Sequence, residues 1–150
     1  GGAAGLAEGA LMAITFVSVA CLAALQILLA LNCSLNRIIL KKSHGCDEDP
    51  ENSLYRAIVA HRNACEYAPI LCILLLVCCL ISTYGSGMPV WVVWLGPALV
   101  LVRVSHAGSI LFFSLRRPNI LRRIGAIGTY TLSLLLCGLI VYSRFAGGPQ

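Results

Sequence analysis

RAIVAHRNACEYAP, from Arg56 to Pro69, runs without interruption into ILCILLLVCCLI, from Ile70 to Ile81. The second half is among the most apolar runs in the chain. The first half carries Arg56, His61, Arg62, Asn63 and Glu66 to the point where such a helix would enter lipid. Ionic groups at that depth cost several kcal/mol unless they are paired, hydrated or liganded, so this stretch marks a candidate functional site. The rest of the chain reads as the scaffold that holds it beside further arginines.

Composition agrees. Of 150 residues, 59% are hydrophobic and 11% charged, against roughly 25% charged in soluble domains. Mean hydropathy is +0.87. Several apolar runs approach the roughly 20 residues that cross a bilayer. The first is too long for a signal sequence and lacks a basic leader, so it is read as a true span. These features describe a single-domain, all-α, multi-pass membrane protein. The net charge of +5 sits mostly in loop arginines and lysines and is read as topology; no basic–aromatic interleaving points to nucleic acid. The eight cysteines fall mostly within spans and include no CxxC or zinc-type spacing, so neither a disulfide framework nor a metal site is expected.

Outward from the opening stretch, the spacing predicts helices over about residues 6–40, 54–82, 90–114 and 121–142, joined by short connections as an up-down-up-down four-helix bundle. KKSHGCDEDPENS, Lys41 to Ser53, is the longest polar stretch. Its acidic run is either a cation site or a solvated loop, and the solvated loop is the simpler reading. Tyr84 to Pro89 makes an uncharged turn, with Tyr84, Trp91 and Trp94 suited to an interfacial belt. Leu115 to Leu121 joins the last two helices, and Gly147, Gly148 and Pro149 form a tail. Arg37, Lys41, Lys42, Arg116, Arg117, Arg122 and Arg123 cluster at the two loops on one side. The positive-inside rule makes that side cytoplasmic or its equivalent, with both termini opposite and only Arg144 dissenting.

At about 100° per residue, Arg56, Asn63, Glu66 and Tyr67 occupy roughly a third of the second helix's circumference. Arg62 and Glu66 are spaced to pair. Arg103 and His106 share a face of the third helix; Arg122, Thr129 and Ser133 align on the fourth, as do Arg123 and Tyr130. Three helices thus bring cations, one carboxylate and an amide to one depth. That set suits a small anionic peptide: arginines for its carboxylates, Glu66 for its ammonium, and a cation or hydroxyl to favour the thiolate if it carries a thiol. The competing reading is a set of buried ion pairs that fix subunit register. His61 and His106 as ligands of a haem or chlorophyll is a weaker third.

AHRNACEYAP, Ala60 to Pro69, resembles the second-helix signature of the MAPEG family, the membrane-associated proteins in eicosanoid and glutathione metabolism. That signature reads roughly RAxxNxxEYxP, and Ala60, Asn63, Glu66, Tyr67 and Pro69 match it. RVSHAG, Arg103 to Gly108, and RPNILRRIGAIGTY, Arg117 to Tyr130, are similar to the family's third- and fourth-helix motifs, closer to the bacterial-type branch. The resemblance implies a homotrimer with glutathione between protomers near the cytoplasmic side. It implies Asn63, Glu66, Tyr67, Arg103 and His106 as glutathione-binding residues, Arg122 or Arg123 as thiol activator, and a lipophilic electrophile or hydroperoxide arriving from the bilayer. Val59 stands where the signature has Arg; Arg56, one turn earlier, is the candidate substitute. His106 stands where the eicosanoid-making members carry Tyr.

The implied function is a glutathione-dependent transferase or peroxidase. The alternatives are a non-catalytic structural subunit of a larger membrane assembly and a lipid-binding scaffold. The organelle is left open, an endoplasmic-reticulum or other organelle membrane being compatible.

Overall fold

A computed structural model describes residues 2–85, 88–117 and 119–146, with side chains from Glu8 to Phe145. Ser86, Gly87, Pro118, Gly147, Gly148 and Pro149, assigned above to turns and the tail, lie outside the described residues. The chain forms α1 (Gly2–Ile39), α2 (Ser53–Tyr84), a 3₁₀ turn (Val90–Trp94), α3 (Leu95–Phe112) and α4 (Ile120–Ala146). Four segments are long and apolar enough to cross a membrane. The architecture is the expected all-α membrane bundle, with α1 packed chiefly on α2 and α3 chiefly on α4.

Helix boundaries follow local chemistry. α1 ends in a Schellman arrangement: Lys42 N–H donates to the Arg37 carbonyl at 3.0 Å and Lys41 N–H to the Ile38 carbonyl at 3.2 Å. Lys41 takes the left-handed conformation, φ 50°, usually left to glycine. α2 starts where Asn52 Oδ1 accepts from the Leu54 and Tyr55 amides at 2.9 and 3.3 Å. Where sequence periodicity gives one helix from residue 90, the structure has a 3₁₀ turn and then α3. Pro97 fits the change: it offers no N–H and its ring would meet the carbonyl four residues back, so the first turn of a new helix suits it best. α4 runs past residue 142 and places Arg144 in its last turn, where a cation suits the exposed carbonyls.

Two buried clusters hold the bundle. Leu22, Leu71, Leu75, Val92, Leu95, Leu99 and Leu136 fill the half nearer the termini. Leu29, Ala60, Ala64, Ala107 and Ile110 fill the other half. Small residues there let backbones approach closely, as lipid-embedded helices require. α3 and α4 approach closely at Gly125: a Cβ placed there would lie 2.5 Å from His106 Cβ and 2.8 Å from His106 Cα. The outer surface is apolar, with Phe16, Ile27, Leu101, Ile127 and Leu134 all exposed as a lipid-facing side needs.

The two basic loops lie at one end and are tied together. Arg116 approaches Asp49 at 3.7 Å and Glu51 at 3.8 Å, and Ser114 donates to Glu51. Lys42 pairs with Asp47. The acidic run therefore answers neighbouring cations. Among the described residues no three His, Cys, Asp or Glu side chains converge as a metal site.

Candidate functional site

The alanine stripe of α2 (Ala57, Ala60, Ala64 and Ala68) is buried against neighbouring helices. Because α2 commits that face to packing, Asn63 and Glu66 turn towards α3 and α4. There they line a cavity of about 430 Å³ with Val59, Arg62, His106, Arg122, Arg123 and Tyr130. This volume lies within the roughly 300–1,000 Å³ of small-molecule sites.

Behind the cavity wall, Arg103 is buried at 2% exposure. Its Nη2 donates to Asn63 Oδ1 at 2.7 Å and to the Asn63 carbonyl at 3.2 Å. Its guanidinium lies 5.2 Å from the centre of the Tyr67 ring, a cation–π distance. Among the described residues no carboxylate comes within ion-pairing distance of it. A buried cation with one amide, one carbonyl and an aromatic face for company is held in place without being neutralised. It also fixes the Asn63 side chain at the cavity edge.

His106 is held by α4. Its Nδ1 lies 3.1 Å from the Arg122 carbonyl. A carbonyl can only accept, so Nδ1 carries the hydrogen, and in the neutral ring Nε2 is left as an acceptor. The first turn of α4 is organised by Asn119, whose Oδ1 accepts from Arg122 N–H at 2.8 Å. Consecutive Arg122 and Arg123 then both reach the cavity. Tyr130, two turns on, joins it and meets Tyr67 hydroxyl to hydroxyl at 3.1 Å.

The structure thus brings together Asn63, Glu66, His106, Arg122 and Arg123, with Arg103 and Tyr67 directly behind them. Arg56 stands apart, lining a different groove with Asn32, Asn36 and Phe112. It shares a helical face with Asn63 but lies two turns away along α2, where the neighbours are α1 and the end of α3. It does not take the place that Val59 occupies in the cavity. Within the chain the Arg62–Glu66 pair is not formed, and both side chains are exposed. Thr129 and Ser133 donate back to carbonyls of their own helix, at 2.6 and 2.5 Å, and do not face the cavity. His61 turns to Cys65 Sγ at 3.3 Å, away from His106, so the two histidines do not share a ligand. Arg62, named in the opening stretch, and Tyr130, expected only to align with Arg123, are part of the lining.

The sequence model of the MAPEG family matches residues 13–142. The chain belongs to the MAPEG family. The match takes in nearly all of the four spans and every cavity residue. Neither a curated protein nor a solved structure matches the chain. MAPEG membership and the four spans make it a multi-pass integral membrane protein of a family that includes glutathione-dependent transferases and peroxidases.

Proposed function

We propose that this MAPEG protein binds glutathione in the α2–α3–α4 cavity and promotes its attack on lipophilic electrophiles. The observation that carries the reading is the charge pattern of the lining: Arg62, Arg122 and Arg123 against the single carboxylate of Glu66, with the Asn63 amide beside them. Glutathione presents two carboxylates, one ammonium and amide groups, so each has a partner of the right kind. Guanidinium forks bind carboxylates bidentately. Glu66 takes the ammonium, and Asn63, fixed by Arg103, hydrogen-bonds the peptide.

A cationic environment lowers the thiol pKa and raises the thiolate fraction. Arg122 and Arg123 are the groups placed to supply it. The thiolate then forms a carbon–sulfur bond as the leaving group departs, and the thiol proton passes to solvent. With a hydroperoxide the thiolate sulfur takes the terminal oxygen as the O–O bond breaks, and the alkoxide leaves as the alcohol with a proton from solvent; a second glutathione thiol then displaces water from the sulfenic acid to give the disulfide. Exposed Glu66, Arg123 and Tyr130 leave one side of the cavity for a neighbouring protomer to cover, as a homotrimer would, and the lipid-facing surface is the route for an apolar second substrate.

Titrating the detergent-solubilised protein with glutathione tests this. Binding that weakens about tenfold or more in Glu66→Gln, as loss of a charge-assisted contact predicts, supports it; no binding to the wild type overturns it. Val59 in the lining favours a second reading, a non-catalytic subunit of a larger membrane assembly that keeps the cavity. Glutathione binding without turnover of any electrophile or hydroperoxide would select that reading.

A further inference from the structure

Arg56 has no role in the cavity just described, yet it carries the only buried side-chain nitrogen without a hydrogen-bond partner among the described residues, its Nε. It lies in a separate groove of about 430 Å³ between α1, α2 and α3. The groove is two-ended. At the loop end stand Arg56, Ser53, Asn32 and Asn36, with Leu111 and Phe112 beside them; from there Leu25, Leu28 and Leu29 form an apolar wall.

The polar end carries a guanidinium, a hydroxyl and two amides, each able to donate. Asn36 Nδ2 bonds back to the Asn32 carbonyl at 2.9 Å and to Asn32 Oδ1 at 3.0 Å. That occupies the oxygen of Asn32 and leaves its amide N–H groups to point elsewhere. The Arg56 guanidinium, the Ser53 hydroxyl and Asn32 line this end together, and no carboxylate lines the groove. From Asn32 the leucine wall reaches back to Leu25, a rise of roughly 10 Å along α1 towards the membrane interior.

We infer that this groove binds an anionic phospholipid, its phosphate against Arg56, Asn32 and Ser53 and an acyl chain along Leu25, Leu28 and Leu29. Arg56 sits in the first turn of α2, and Asn36 and Phe112 sit at the ends of their helices. The head is therefore at the membrane interface on the side with the basic loops. Basic pockets between spans on that side face the anionic leaflet. The apolar wall favours a lipid over a free anion. A second copy of the chain has little to offer Arg56. Of its six acidic residues, Asp47, Asp49 and Glu51 hold Lys42 and Arg116, Glu8 lies at the opposite end, and Glu66 lines the other cavity. Only Glu48, in the loop, is uncommitted.

Lipid retention measured by native mass spectrometry on the full chain in detergent tests the inference, with dioleoyl phosphatidylglycerol and dioleoyl phosphatidylcholine offered in equal amounts. The wild type should retain phosphatidylglycerol preferentially. Arg56→Gln should lower that preference about fivefold, the worth of one interfacial cation. Asn32→Leu, with Arg56 intact, should lower it in part and serves if Arg56→Gln does not fold. Arg123→Gln, in the glutathione cavity, should leave it unchanged, so the result is independent of glutathione binding. Equal retention of the two lipids overturns the inference, as does unchanged preference in the variants. Displacement of the lipid by millimolar inorganic phosphate would make this a free-anion site and also overturns it.

Discussion

Arg103 on α3 donates a 2.7 Å hydrogen bond to the side-chain oxygen of Asn63 on α2. The contact joins residues of two separate motifs and fixes an amide at the edge of the cavity. Hydrogen bonds to charged groups contribute about 1.5–3 kcal/mol, and a buried charge that loses its acceptor costs the full desolvation of what remains. Asn63→Ala should therefore lower stability by about 2 kcal/mol and weaken glutathione binding. The double variant Asn63→Ala/Arg103→Met should be less destabilised than the sum of the singles, because no charge is then left stranded. Thermal unfolding in detergent measures both; strict additivity would show that the two side chains do not act as a pair.

At Gly125 α4 packs directly against the backbone of His106 on α3. A methyl group there has no side-chain end to push aside, so the helices must separate. Overpacking of this kind costs about 1–3 kcal/mol. Gly125→Ala should lower the melting temperature and weaken glutathione binding, since His106 and Arg122 would move apart. Gly138→Ala, with nothing within 4 Å of the added carbon, should be neutral or slightly stabilising and is the control.

Val59 borders the cavity where the family signature has Arg. Val59→Arg adds a cation facing the space assigned to the ligand's carboxylates. A charge-assisted bidentate contact should tighten glutathione binding about tenfold, read by titration. If affinity does not change, the carboxylates lie elsewhere in the cavity.

The bundle was legible in the sequence because each span is a long apolar run bounded by loop chemistry, and lipid leaves helices no other way to satisfy their backbone. The ends were less legible. Pro97 breaks the third helix's start through a steric contact with the preceding turn, and Arg144 extends α4 beyond its apolar run. Asn63, Glu66 and Arg103 stand out in the sequence because polar groups in lipid need partners. Tyr130 is an ordinary aromatic by sequence and joins the lining only because α4 crosses α2 at that height. Arg56 shows the limit of periodicity: a helical wheel gives direction but not depth, and at its depth the neighbours are different helices.

Lys41 holds φ 50° at the end of α1. A side chain in the left-handed region is strained by roughly 1–2 kcal/mol relative to glycine, offset in part by glycine's greater freedom when unfolded. Lys41→Gly should therefore stabilise the protein by about 0.5–1 kcal/mol and leave glutathione binding unchanged. A fall in melting temperature would mean that the Lys41 side chain makes a compensating contact with the membrane surface.

The loop between α1 and α2 should respond to acid. Hydrogen bonding to the Lys42 ammonium, then its charge, holds the Asp47 carboxyl below the usual carboxylate range, and the same contact raises Lys42. A carboxyl held lower in the folded state adds stability that is present above its unfolded pKa and disappears as pH falls through the folded value; a raised ammonium loses its contribution only as pH rises through its own raised range. The loop should thus stay ordered from about pH 5 to pH 9 and loosen below about pH 4. Both groups are exposed, so the effect is local. Hydrogen exchange of the amides from Lys42 to Glu51, corrected for the intrinsic pH dependence of exchange, should show protection falling at the acid end. Asp47→Asn should show the lower protection already at neutral pH; if it matches the wild type there, the Lys42–Asp47 contact is not what orders the loop.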